Sequence, residues 1–238
     1  MERERQSKPT CARRAAALPI HESVAGAWGI PEYMPPIRRH DFQSNDVRQR
    51  KGELRKQIAA LRREVSAADK ARWDEAIAGR FFTLAKEAGY LEGAPVYLYM
   101  DIHNEAGTGA ILEGLWQRGI PAALPRVEGQ EIRFYLAESR RQLVPGAMGI
   151  LEPDSGCPAV SGSAGGRKGL VLTPGVAFDH SLGRLGYGGG YYDRFFAAEP
   201  WHPRWGLAYE FQIVESLDLE EWDCRMDRIL TESRVIGG

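Results

Sequence analysis

Pro95-Val-Tyr-Leu-Tyr-Met100, Thr108-Gly-Ala-Ile-Leu-Glu-Gly-Leu-Trp-Gln-Arg118 and Ile120-Pro-Ala-Ala-Leu124 follow one another closely in the chain. The first and last are short apolar runs of the kind that form buried strands. The middle run carries Ile111, Leu112 and Leu115 at helical spacing. Strand, helix, strand at this spacing predicts an α/β unit in which at least part of the sheet is parallel. Upstream, Val47, Leu54, Ile58, Leu61 and Val65 form one helical stripe. Ser66 opens a Ser-x-x-Asp box closing at Asp69, a helix-start signal. The helix that follows shows Trp73, Ile77, Phe81 and Leu84 on one face, with Gly89 as its stop. Downstream, Ile132, Phe134 and Leu136 alternate with polar neighbours in a strand over Glu131 to Ala137. Asp154 to Gly169 reads as a Gly- and Ser-rich loop. Leu170 to Thr173 is a strand ending at Pro174-Gly175, and Tyr191 to Ala198 is a helix. Trp205 to Tyr209 and Ile229 to Thr231 are late strands, and no internal repeat is visible.

The 238 residues suffice for one large domain with its own core. Residues 1–45, with Pro9, Pro19, Pro31, Pro35 and Pro36 and no sustained period, read as an N-terminal extension, mobile or loosely docked, ahead of a domain over 46–238. Pro19 and His21-Glu22 break the apolar run after Arg13-Arg14, which argues against a secretory signal. The net charge of −1 argues against a duplex-coating nucleic-acid binder. Cys11, Cys157 and Cys224 lie far apart and form no C-x-x-C, so neither a disulfide framework nor a zinc site is indicated. A reducing, cytoplasmic setting fits that usage. No apolar run approaches the roughly 18 residues of a membrane span. The chain is therefore expected to be cytoplasmic, monomeric and without nucleic-acid or membrane partners.

The densest chemical signal runs from Thr173 to Arg194, with five glycines between Gly183 and Gly190. A strand leads in and a helix leads out. Glycines there let the backbone approach a ligand, and the N–H groups of the loop and helix start form an anion cradle. Arg184 adds a planar cation suited to phosphate or carboxylate. Asp193, just inside the helix, suits a hard cation such as Mg²⁺. Rival readings are a flexible turn at Gly186 to Gly190 and dipole complementation at Asp193. Gly162 to Gly169 lacks the Gly-Lys-Ser/Thr ending of a P-loop, and Gly186 to Tyr191 lacks the third glycine of the dinucleotide fingerprint. Lys51 and Arg55 lie within roughly 40° of each other on the first helix, at the edge of its apolar stripe. They are either snorkelling cations or a pair aimed at phosphates. Asp223 belongs to an acidic stretch over residues 210–232 that mostly reads as solvated surface. The five histidines show no ligand spacing, and there is no Gly-x-Ser-x-Gly elbow.

Together these segments resemble the 5-formyltetrahydrofolate cyclo-ligase family, also called methenyltetrahydrofolate synthetases. The resemblance rests on Lys51-x-x-Leu-Arg55, Tyr99 with Glu105 and Thr108, Leu124-Pro-Arg126, Gly149 to Pro153, Pro174 to Asp179, Arg184 to Arg194, and Asp223 to Glu232. It covers about residues 48–233 in family order. It implies a single-domain, Rossmann-like three-layer α/β/α sandwich with a mostly parallel sheet. It also implies ATP- and Mg²⁺-dependent closure of 5-formyltetrahydrofolate to 5,10-methenyltetrahydrofolate, with ADP and phosphate released. By the same resemblance, Lys51, Arg55, Arg184, Leu185, Gly186, Tyr187, Gly188, Gly189, Gly190, Tyr191 and Tyr192 hold ATP. Met100, Glu105, Met148, Tyr187, Gly188, Gly189, Gly190 and Tyr191 contact folate, Asp193 and Asp223 hold Mg²⁺, and Arg184 and Tyr191 act on the reacting groups. Some members carry basic residues where this chain has Tyr187 and Gly189, which shifts ATP contacts towards backbone N–H groups, and Met148 stands where some members place an aromatic. The alternative is a folate- or nucleotide-binding regulator on the same fold.

Overall fold

Helix α1 (Val47–Glu64) starts where Asp46 accepts a hydrogen bond from the Arg48 N–H at 2.8 Å. Helix α2 (Ala67–Glu87) starts where Ser66 Oγ accepts from the Asp69 N–H at 3.0 Å, and it stops before Gly89, whose φ of 71° no continuing helix allows. These are the boundaries the capping box and the glycine predict. The computed structural model describes residues 46–146, 149–160 and 168–238. The extension over 1–45 and Met148 lie outside the described residues.

The remaining elements are β1 (Val96–Tyr97), α3 (Gly109–Gln117), β2 (Ala122–Glu128), β3 (Glu131–Ala137), β4 (Leu143–Pro145), β5 (Leu151–Pro153), β6 (Val171–Thr173), β7 (Ala177–Asp179), β8 (Arg184–Leu185), α4 (Tyr191–Ala198), β9 (Arg204–Leu207), β10 (Ile213–Val214), β11 (Arg228–Leu230) and β12 (Val235–Ile236). Among the described residues one seven-stranded sheet has the order β12-β11-β9-β6-β1-β2-β3. Every pairing from β11 to β2 is parallel, and β12 and β3 close the two edges antiparallel. The molecule is a single α/β domain with a largely parallel core. The apolar run 95–100 pairs formally over two residues only, although the Leu98 N–H still reaches the Ala123 carbonyl at 2.9 Å. Beyond it the chain leaves the sheet to form the loop that carries Glu105.

Alternation along the strands sends neighbouring side chains to opposite layers. Val96, Leu98, Leu124, Leu172 and Trp205 pack with Ile77 and Phe81 of α2 and Ile111 and Leu115 of α3. Tyr97, Ala123 and Val171 face the other way, onto Phe178 and onto Phe196 of α4. Each fully buried Ile or Phe here contributes about 1.5–3 kcal/mol by leaving water.

The second layer is not helical throughout. Beside α4 it holds a small sheet, β10-β7-β8, on which α1 lies. Leu54 and Ile58 of α1 meet Val176, Ala177, Leu185 and Val214 there. The β7–β8 hairpin sits inside the glycine-rich segment, where strand was expected to lead directly to loop. Asp179 fixes its turn by accepting from the N–H groups of Ser181 (2.9 Å) and Gly183 (2.8 Å), and it ties in the Leu217 N–H at 2.8 Å. This small sheet seats α1 so that its cations reach the glycine loop.

Candidate active site

In a parallel sheet, ligands bind outside the carboxyl ends of the strands, at the point where the strand order reverses. Here β1 continues outward to β2, whereas β6 continues the opposite way to β9 and β11. That point lies between the ends of β1 and β6. Two loops meet there: Met100 to Thr108 after β1, and the segment from Pro174 through the β7–β8 hairpin to α4.

The first loop is held by its own polar atoms. Thr108 Oγ1 donates to the Tyr99 carbonyl at 2.6 Å, and the Thr108 N–H donates to Asp101 at 3.2 Å. Lys70 Nζ donates to the Glu105 carbonyl at 2.9 Å. His103 and Asn104 take positive φ, of 49° and 53°, and Asn104 Nδ2 donates to the Arg62 carbonyl at 2.9 Å. The result is a tight bend that drives the Glu105 carboxylate inward, 3 % exposed. Its Oε2 accepts from the Ile102 N–H at 3.0 Å and its Oε1 from the Tyr187 hydroxyl at 2.6 Å. Burial raises the Glu105 carboxyl above the usual carboxylate range, and the Tyr187 hydroxyl, the Ile102 N–H and the Arg62 charge pull it back. Met100 is partly buried at the start of this loop, against the α2–α3 core.

The glycine loop follows β8. Gly188 and Gly190 have φ of 103° and 67°, and Gly190 is the N-cap of α4, so no side chain occupies the start of that helix. An uncapped first turn leaves its N–H groups for a ligand. Arg184 and Leu185 end the hairpin buried, with Arg184 Nη2 on Asp193 Oδ1 at 2.6 Å. The Arg184 guanidinium also lies 5.7 Å from the Tyr192 ring centroid. The Tyr192 hydroxyl and Arg184 Nε are buried with no hydrogen-bond partner among the described residues. Burial and the nearby Glu105 raise the Tyr192 hydroxyl well above its usual range. Gly189 backs onto the Tyr191 ring: a Cβ there would lie 2.9 Å from Tyr191 Cε2. Tyr191 packs with the Tyr97 cluster, its ring beneath the Arg194 guanidinium.

Helix α1 supplies the other wall. Lys51 Nζ lies 3.5 Å from Asp223 Oδ2 and 3.3 Å from Glu220 Oε2. Arg55 Nε donates to the Gly186 carbonyl at 2.9 Å, which ties α1 to the glycine loop. Burial pulls the Arg55 guanidinium below its usual range, against the opposing pull of Asp223. The two cations foreseen on the apolar edge therefore both reach the site, and neither projects into open solvent. A third cation on that face, Arg62, escaped the sequence reading. It sits seven residues after Arg55, about 20° away around the helix. Its guanidinium donates to the Tyr187 hydroxyl and, through Nη2, to the Gly175 carbonyl at 2.6 Å. The signal was available as the Lys51, Arg55, Arg62 spacing, but an arginine near the end of an amphipathic helix reads as surface.

Asp193 and Asp223 are each paired with a different cation. Among the described residues no group of three or more metal-ligating side chains gathers at one point.

The model of the 5-formyltetrahydrofolate cyclo-ligase family matches residues 47–232. The chain belongs to the 5-formyltetrahydrofolate cyclo-ligase family. The cyclo-ligase of Escherichia coli strain K12 is 32% identical over 149 residues, which is 59% of this chain and 79% of that protein. The 5,10-methenyltetrahydrofolate synthetase of Aquifex aeolicus has the same fold with a TM-score of 0.68 and 33% identity, covering 78% of this chain and 91% of that one. The synthetase of Mycoplasma pneumoniae gives 0.61 and 27%, covering 77% and 99%. The matched region begins with α1, whose cations form one wall of the site. No helix among the described residues is long and apolar enough to cross a membrane.

Proposed function

We propose that this chain closes 5-formyltetrahydrofolate to 5,10-methenyltetrahydrofolate, using ATP and releasing ADP and phosphate. The observation that carries the reading is the 2.6 Å hydrogen bond from Tyr187 of the glycine loop to buried Glu105. It supports a reading in which the glycine loop takes phosphates beside a carboxylate able to accept pterin N–H groups. The formyl oxygen attacks the γ-phosphorus, the bond to the β-phosphate oxygen breaks, and ADP leaves. The second folate nitrogen then attacks the activated formyl carbon and gives up its proton, and the C–O bond breaks with phosphate as the leaving group and acceptor of that proton. Phosphoryl transfer asks the protein for positioning and charge neutralisation more than for covalent help.

The residues divide accordingly. Lys51, Arg55, Arg184 and Leu185 to Tyr192 hold the triphosphate, with Arg184 beside the transferred group and Tyr191 and Tyr192 at the helix start. Met100, Glu105 and the Tyr187–Tyr191 face hold the folate, the methionine and tyrosine surfaces stacking on its ring. Mg²⁺ suits the donors present. The contacts of Asp193 run through Oδ1 and those of Asp223 through Oδ2, so each carboxylate has a second oxygen for a hard cation. When bound, the ion would neutralise phosphate charge. The unit that performs this chemistry is residues 46–238, and the protein acts as a cytoplasmic monomer.

The test is near-UV absorbance with 5-formyltetrahydrofolate, ATP and Mg²⁺, on the full chain and on a chain starting at Asp46. Growth of the methenyl band that requires ATP, in both, is the expected result. Folate and ATP binding without ADP release would overturn the catalytic reading in favour of a binding protein on the same fold.

A further inference from the structure

Arg62 is the most deeply buried cation of α1, 3 % exposed, and its task is unassigned. A buried guanidinium needs acceptors for its planar fork and an anion for its charge. The fork is met by the Tyr187 hydroxyl and the Gly175 carbonyl. The anion is Glu105, whose Oε1 lies 4.0 Å from Arg62 Nη1. The Tyr187 hydroxyl stands between the two, accepting from Arg62 and donating to Glu105. A hydroxyl has one proton, so with Arg62 as donor on one side its own proton must point at the carboxylate. Those two bonds use the Nη atoms, and Arg62 Nε is buried without a partner among the described residues. The same guanidinium thus touches the end of β6 at Gly175, the glycine loop at Tyr187 and the charge of the β1 loop at Glu105.

We propose that Arg62 is a positioning residue that aims Tyr187 at Glu105 and keeps Glu105 anionic, so that the phosphate loop and the folate carboxylate are set by one cation. The proposal rests on the cyclo-ligase reading for the identity of the ligand, but not for the charge of Glu105.

Other groups facing Glu105 cannot replace that cation. From its own segment come Asp101 and Tyr99, from α4 Tyr192, and from the glycine loop Tyr187. Lys70 of α2 reaches only the Glu105 backbone carbonyl and is already shared with Asp74 and Asp101, and Tyr209 also donates to that carbonyl. Without Arg62 the carboxyl keeps the Ile102 N–H and the Tyr187 hydroxyl as donors but loses its one cation while Asp101 stays nearby, so its proton affinity rises. A protonated Glu105 accepts poorly from pterin N–H groups. Lysine in place of Arg62 restores charge but not the fork.

The experiment follows the Glu105 carboxyl by carbon-13 NMR in the ligand-free full-length protein from pH 4 to 9, with Glu105→Gln giving the assignment. Wild type, Arg62→Gln, Arg62→Lys and Tyr187→Phe are compared. Calorimetric binding of 5-formyltetrahydrofolate without ATP is measured on the same samples. Arg62→Gln is expected to move the Glu105 midpoint upward and to weaken folate binding about tenfold at pH 7, with recovery towards pH 9. Arg62→Lys is expected to keep the midpoint close to wild type. If Arg62→Gln does not fold, Tyr187→Phe carries the test: it leaves Arg62 in place, removes the hydroxyl that Arg62 aims at the carboxylate, and is expected to shift the midpoint upward. An unmoved Glu105 midpoint in Arg62→Gln, or in Tyr187→Phe where Arg62→Gln does not fold, overturns the proposal. So does weakening that is equal at every pH and unrelieved by lysine, since a merely structural role predicts that. A moved midpoint in a protein whose wild type binds no folate would leave Arg62 in its role and sink the cyclo-ligase reading instead.

Discussion

Glu105 and Arg184 divide the chemistry at the scale of single side chains. Glu105 is neutral only where burial wins over its donors, so its charge rises as the pH climbs past the raised carboxyl range. Folate binding through the carboxylate is expected to strengthen over that interval and to weaken on its acid side. Glu105→Gln should flatten this limb and raise the folate KM about tenfold, while ATP binding measured alone stays at wild type. A pH profile of kcat/KM for the two proteins checks it. Arg184 is buried with its charge directed at Asp193 and at the start of α4. Its only other hydrogen bond among the described residues is a long one, 3.4 Å, to the Pro174 carbonyl. Arg184→Ala should therefore cost turnover about 10²–10³-fold, the usual loss for a donor aimed at transition-state charge, and should also lower the melting temperature of a still-folded protein, because Asp193 loses its cation. Wild-type kinetics in that variant would remove Arg184 from the transfer step.

At the scale of elements, two caps set how the site is presented. Ser66 is the N-cap of α2 and thereby fixes the short α1–α2 turn that ends the cation-bearing helix. Ser66→Ala should lower stability by about 1 kcal/mol, read as a lower denaturant midpoint with an unchanged slope. Gly190 is the opposite case, an N-cap chosen for having no side chain. Its φ of 67° opposes any side chain there, whereas the Arg194 Nη1 that a Cβ would meet at 2.8 Å is the end of a flexible side chain and can move aside. Gly190→Ala should cost about 1–2 kcal/mol and raise the ATP Kd, because the strain falls on the N–H groups that face the phosphates. Calorimetric ATP titration beside a thermal melt separates the two effects.

For the whole molecule, the segment between β11 and β12 ties α2 to the sheet through the Thr231, Glu232 and Ser233 carbonyls, which accept from Arg80, and it carries a buried carboxylate with a raised proton affinity. Burial pushes the Glu232 carboxyl up to about 7, against the Glu210 N–H that it accepts and the Arg80 charge. Its folded proton affinity exceeds the unfolded one, so its stabilising contribution is full below the unfolded pKa and is lost as pH rises through about 7. Global stability should fall over pH 4.5–7.5 from this group by at most about 3 kcal/mol. Glu232→Gln should remove that slope and melt higher than wild type at pH 8. Parallel melting curves of the two proteins across this range would refute the assignment.

Local sequence determined much of this chain. The helix boundaries at Ser66, Gly89, Tyr191 and Ala198, the positions of the main strands along the chain and an α/β unit with a partly parallel sheet follow from periodicity, caps and turn residues, because those are local properties of the backbone. Lys51, Arg55, the glycine loop and Asp193 stood out because spacing and residue type carry their chemistry. The tertiary structure alone decided three things. It cut the second layer into α4 plus a small sheet, since Val176 to Leu185 hides two short strands inside a glycine-rich segment whose pairing partner, Ile213–Val214, lies far along the chain. It buried Glu105 through a loop whose bend depends on Asp101, Thr108 and Lys70, contacts between residues up to 35 positions apart. And it turned Arg62 from a helix-end cation into the group that joins both loops, because burial and partners are set by what packs against a residue, which its own neighbours in sequence do not state.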